Sequence, residues 1–106
     1  MEKMSKEIEK FKELCIQYGH ALNSGNNRIS NKLHTKLMQF KNSLDLSDLN
    51  DISDTDDDSI KLWVAVFILE YNEEKGLHIL NLISKRGDLI GLTANSLIDM
   101  WDKKMI

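Results

Sequence analysis

From Ile60 to Leu69 the chain reads Ile-Lys-Leu-Trp-Val-Ala-Val-Phe-Ile-Leu, and the eight residues from Leu62 onward are all apolar. A run of that kind must be covered on several sides, so it fixes the centre of the fold and leaves the other segments to cover it. Its periodicity does not separate a buried strand from a buried helix, because Val, Ile, Phe and Trp suit either. Three features favour a helix. Thr55 and Asp58 match the Thr-x-x-Asp form of a capping box just ahead of the run. No second strand-like run exists to pair with it, and an unpaired strand would bury unsatisfied backbone groups. The flanking segments all carry helical spacing. The helix is therefore expected to begin near Asp56 to Ser59.

The flanks are read from the same spacing rule. Met4, Ile8, Phe11, Leu14, Cys15, Tyr18 and Leu22 recur at steps of three and four and predict a helix over about residues 4–22. Asn23-Ser24-Gly25-Asn26-Asn27 ends it, with Gly25 free to take the left-handed conformation that closes a helix. Ile29, Leu33, Leu37, Phe40 and Leu44 predict a second helix, antiparallel to the first because the connection is short. Leu44, Leu46, Leu49 and Ile52 give the next stretch enough apolar contacts for a short turn pinned to the core. Beyond the central run, Tyr71-Asn72-Glu73-Glu74 supplies a turn and cap, and Leu77, Leu80 and Ile83, widened by Ile79 and Leu82, form the stripe of the following helix. Arg86-Gly87-Asp88 separates that helix from a last one carrying Ile90, Ala94, Leu97, Ile98, Trp101 and Met105 on one face. Lys103 and Lys104 are expected in its final turn, where the helix dipole favours cations. An offset of 29 lays Ala65 on Ala94, Ile68 on Leu97 and Leu69 on Ile98, a faint internal echo of the sort that stacked helical repeats produce.

A chain of 106 residues has room for one core. Its single cysteine, Cys15, lies on an apolar stripe, which points to a small core residue in a reducing compartment, with the cytoplasm as the default. No stretch approaches the roughly 20 apolar residues that span a bilayer, so membrane insertion is not signalled. A net charge of −3 does not favour nucleic acid as a partner.

Asp58-Ser59-Ile60-Lys61-Leu62-Trp63-Val64-Ala65, the helix from Glu74 to Leu80, and Ala94-Asn95-Ser96-Leu97-Ile98-Asp99-Met100-Trp101 together resemble a family of small uncharacterised bacterial HEAT-like helical domains. In that family an Asp-x-x-Val-Arg-x-Trp-Ala-Ala pattern opens one helix and a Trp closes the last. Gly25-Asn26-Asn27-Arg28 leading to Asn31-Lys32-Leu33-His34 is similar to its N-terminal half. Lys61 stands where the family has Arg, and Val64 where it has Ala. The resemblance implies an all-α fold of about five to six helices, arranged as antiparallel pairs in a short HEAT-like α-α superhelix. It divides the single domain, 1–106, into a helical pair at about 4–44, an acidic connection at about 45–57 and a HEAT-like unit at about 58–104. HEAT-like domains of this size are similar to immunity proteins found beside bacterial secreted toxins, which implies a binding role.

The residues that could carry chemistry are few. His20, His34 and His78 have no Cys or carboxylate at metal-ligand spacing, so no metal site is expected. Cys15 is too apolar in its setting for a nucleophile. Trp63 and Trp101 fall in register with aliphatic neighbours and are read as packing residues. No phosphate loop, nucleophile elbow or paired-carboxylate motif is present, so neither catalytic residues nor a cofactor are assigned. Charge is the remaining signal. Residues 1–41 carry a net +4, residues 42–58 a net −7 with no Lys or Arg, and the remainder balances. The acidic run lacks the Gly and distal Glu of a calcium loop. Asp48, Asp51, Asp54, Asp56, Asp57 and Asp58 are instead the expected partner-binding residues, suited to fast capture of a basic protein. The sequence thus reads as an immunity protein that neutralises a cognate toxin, such as a nuclease, by direct binding. A HEAT-like scaffold or regulatory adaptor without a toxin partner is the alternative. The concave helical face competes with the acidic run as the binding surface.

Overall fold

Five α-helices make up most of the described part of the chain, residues 2–42 and 57–104 of a computed structural model. They are α1 (Glu2–Asn23), α2 (Asn27–Gln39), α3 (Asp58–Ile68), α4 (Glu73–Ile83) and α5 (Leu89–Asp102), with a 3-10 turn at Phe40–Asn42. No strand occurs among the described residues. The fold is all-α, as its periodicities require, and the ambiguous apolar run is helix α3. None of these helices is long and apolar enough to cross a membrane.

Helix α3 is the axis of the packing. Ile60, Leu62, Trp63, Val64, Ala65, Phe67 and Ile68 are all buried, which only a helix enclosed on several sides can achieve. Trp63 sits within ring contact of Tyr18 at 5.3 Å, His34 at 5.2 Å and Phe67 at 5.9 Å. Phe11 extends this cluster to Phe67 at 5.6 Å and Phe40 at 5.9 Å. Centroid separations of this size, with the rings tilted or edge-on, suit the quadrupoles of the aromatic faces. Phe11 and Phe40 lie on opposite sides of the first turn and far from it, so their contact makes α1 and α2 antiparallel. Gly25, at φ 75°, supplies the left-handed residue of that turn. Asn26 then caps α2 by accepting from the Ile29 N–H at 3.2 Å.

Helices α3 and α5 pack against α1, α4 packs on α3 and α5, and short capped turns join the three. Asn72 accepts from the Lys75 N–H at 3.2 Å to start α4, and Asp88 accepts from the Gly91 N–H at 3.2 Å to start α5. Ala65 and Ala94, the small residues of the internal echo, are both fully buried.

Four details differ from the sequence reading. Ile29 and Leu82, expected on the apolar stripes of α2 and α4, are 46% and 54% exposed, because each lies at the margin of its stripe where no neighbouring helix covers it. The N-cap of α3 is Asp57, whose carboxylate accepts from the Ser59 N–H at 2.8 Å; Thr55 of the expected capping box lies outside the described residues. Helix α2 ends at Gln39 and tightens into the 3-10 turn, so Phe40 packs from a turn and Leu44 lies outside the described residues. Lys103 is the C-cap of α5 and Lys104 has φ 58°, which puts both beyond the last helical turn. The expected turn at Leu44, Leu46, Leu49 and Ile52, the side chain of Met4, and Met105 also lie outside the described residues.

Candidate partner-binding surface

Of the six aspartates expected to bind a partner, Asp48, Asp51, Asp54 and Asp56 lie outside the described residues. Asp57 and Asp58 are described, and the fold uses them differently. Asp57 is exposed and spends one carboxylate oxygen on the start of α3. Asp58 is held inside an ion-pair network. Its Oδ2 accepts from Arg86 Nη1 at 2.8 Å and its Oδ1 lies 3.3 Å from Lys61 Nζ. Arg86 also donates from Nη2 to Asp88 Oδ2 at 2.6 Å and from Nε to both Asp88 oxygens at 3.1 and 3.2 Å. Asn23, at the end of α1, donates to the same Asp88 carboxylate at 3.3 Å. The ends of α1, α3 and α5 are thereby joined at one point.

The charges in this network are tuned by their neighbours. At Asp58 burial acts to raise the pKa, and the hydrogen bonds from Arg86 and Lys61 outweigh it, leaving the carboxyl below its ordinary value. At Asp88 the hydrogen bonds from Arg86 dominate and hold the carboxyl well below the usual range, with the Gly91 N–H adding to them. The same bonds, to Asp88 and then to Asp58, raise Arg86 above its already high value. Asp58 is therefore a poor candidate for direct contact with a partner, since its charge is already met. Asp57 keeps its charge open to solvent.

Two recesses lie at opposite ends of α3. A polar cavity of about 140 Å³ lies between α1 and the starts of α3 and α5, with Gly19, Asn23, Asp57 and Ser59 in its lining. An apolar groove of about 320 Å³ crosses α3 between α2 and α5. Val66 and Leu69 line it from α3, Met38 from α2, and Leu97, Met100 and Trp101 from α5. Lys41 and Glu70 also border it, paired at 2.6 Å. Trp101 is only half-buried in this wall and donates its indole N–H to Glu73 at 2.9 Å. The packing role expected of both tryptophans thus holds in full for Trp63 alone.

The remaining candidates fall apart in space. His20 borders the polar cavity, His34 lies against Trp63, and His78 stands on the exposed side of α4. Among the described residues, no group of three or more His, Cys, Asp or Glu could hold a metal ion. Cys15 is fully buried, and burial, with a smaller push from the Asp57 charge, drives its thiol far above the ordinary range. It is inert as a nucleophile.

Sequence reasoning missed the Arg86 hub, reading Arg86-Gly87-Asp88 only as a turn. The one local signal was Asp88 ahead of an apolar run, which marks an N-cap but not the partners of its second oxygen. No family model, curated protein or solved structure matches the chain.

Proposed function

We propose that this chain is a protein-binding module, HEAT-like in its helical pairing, that neutralises a cognate basic protein toxin by direct contact in the bacterial cytoplasm. The observation that carries this reading is the acidic run over residues 42–58, net −7 without a compensating base, whose described end presents Asp57 to solvent. A concentrated negative field raises the encounter rate with a basic partner, and a neutralising protein gains from speed. The resemblance of the Asp58 to Trp101 pattern to small HEAT-like domains supports the same reading. The module acts by occupying the toxin and performs no reaction of its own.

The test is capture from the native host followed by kinetics. One toxin domain should be recovered, with a dissociation constant on the order of nanomolar. Replacing Asp48, Asp51, Asp54 and Asp56 together by Asn spares Asp57, which caps α3, and Asp58, which is paired, so the cap and the ion pairs of α3 are kept. Association should slow and its salt dependence flatten. Unchanged kinetics at every salt concentration would move the binding surface off the acidic run. The apolar groove between α2 and α5 favours a second reading, an adaptor without a toxin partner. That reading predicts recovery of housekeeping proteins and loss of binding on Met100→Glu.

A further inference from the structure

Helix α2 packs chiefly on α1, and its opposite face is open to solvent. Arg28, Lys32 and Lys36 stand on that face at steps of four, so their charges form a row with a pitch of ~6 Å. All three are exposed, and among the described residues none forms an ion pair, whereas Lys41 beyond the helix is held by Glu70 at 2.6 Å. Asn31, Thr35 and Gln39 make a second exposed row beside the first. Ile29 and Met38, also exposed, lie at the two edges of the face.

The cationic row works against the helix that carries it. Like charges four residues apart repel, and Arg28 lies in the first turn, where the dipole is positive and no acidic side chain offsets it. No Asp or Glu occurs between Glu13 and Asp45, so the neighbouring sequence supplies no counter-charge. By contrast, Lys61 of α3 pairs with Asp58, and Lys103 at the end of α5 pairs with Asp99, each within four residues. A local rule broken in this way, without compensation inside the fold, marks a surface that serves an outside partner.

We infer that the outer face of α2 is a docking strip for an acidic helix of a partner protein. A second helix lying along α2 repeats its own side chains at the same pitch, so carboxylates at i, i+4 and i+8 meet the three cations in register. Asn31, Thr35 and Gln39 offer hydrogen-bonding groups to its polar flank, and Ile29 and Met38 give apolar contact at the edges. Single-stranded nucleic acid fits less well, since no Phe, Tyr or Trp lies on this face to stack a base, and residues 42–58, close beyond α2, carry a net −7. A membrane surface also fits less well, because the two apolar residues sit on opposite edges and leave no side to insert. The strip is distinct from the acidic run and takes a partner surface of the opposite sign.

The test uses the full chain at low salt, titrated with a capped alanine-based helical peptide carrying Glu at i, i+4 and i+8 and followed by amide chemical shifts. Saturable shifts confined to residues 28–39 are expected, with a dissociation constant on the order of 1 mM that weakens as salt rises. A peptide with the same three Glu spread around its helix should bind several-fold more weakly. Lys32→Glu should weaken binding about tenfold. It should also raise the melting temperature of the free chain by a few degrees, because two like-charge pairs become attractive ones. Binding lost while stability is gained is the signature of a docking strip, and a structural role for the row predicts the reverse. Shifts that are absent, equal for the spread peptide, or unchanged in Lys32→Glu overturn the strip. Tighter binding of oligothymidylate or of phosphatidylglycerol vesicles than of the peptide overturns the acidic-helix assignment. Toxin capture, which tests the acidic run, has no bearing on these outcomes.

Discussion

Arg86 joins two helix starts that lie far apart in the sequence, and its four hydrogen bonds to Asp58 and Asp88 turn a loop residue into a tie between α3 and α5. Its side chain is 39% exposed, so solvent screens the network, and Arg86→Gln should cost only about 1 kcal/mol at neutral pH. The pH dependence is more telling. Asp58 and Asp88 both titrate lower in the folded chain than an ordinary carboxyl, so their contribution is fully present above about pH 4. It is lost as pH falls through the lower folded values. Stability of the wild-type chain should therefore drop more steeply below about pH 4 than that of Arg86→Gln, and the two should converge in acid. Urea denaturation from neutral pH into acid checks this, and parallel curves for the two chains would show that the tie contributes nothing.

At the scale of elements, the contact between α3 and α4 depends on a glycine that periodicity gave no reason to notice. A Cβ on Gly76 would come within 2.8 Å of Leu69 Cδ2 and 3.1 Å of the Ala65 carbonyl oxygen. The leucine methyl can yield, but the carbonyl belongs to a helix and cannot. Gly76→Ala gains about 1 kcal/mol of helix propensity and loses about 1–3 kcal/mol to overpacking, so a net destabilisation of about 1 kcal/mol is expected. Gly87→Ala, where nothing lies within 4 Å, should be close to neutral. Thermal melts of the two variants side by side test the contrast, and equal melting temperatures would deny the close approach. Helix identity and most helix ends were legible because caps and periodicity are local. The α3 cap shifted because Asp57 reaches the Ser59 N–H directly, and a run of neighbouring aspartates offers several candidate caps that sequence cannot rank.

Across the whole molecule, Trp63 links α1, α2 and α3 through Tyr18, His34 and Phe67. Trp63→Ala should cost about 3–5 kcal/mol, a large part of the roughly 5–15 kcal/mol such a domain possesses. Because these helices share one core, the loss should appear as a single transition, with circular dichroism and the fluorescence of Trp101 changing together. A cooperatively folding variant with an unchanged melting temperature would mean that α3 is not the organising element.

The sequence by itself determined that the fold is helical, that the run from Ile60 to Leu69 is its centre, and, apart from Ile29 and Leu82 at the stripe margins, which face of each flanking segment turns inward. Burial of apolar side chains writes those facts into spacings of three and four. Tertiary structure decided which charges are free. Asp57 and Asp58 are adjacent and chemically identical in the sequence, yet one faces solvent and the other is tied to Arg86, 28 residues away. Asn23 meets Asp88 across 65 residues. Trp63 and Trp101 occupy equally apolar registers, but only the first is enclosed, because how much of a helical face is covered depends on which neighbours arrive. Contacts over such separations leave no periodic trace in the chain, since they are set by how the helices pack and not by how each one forms.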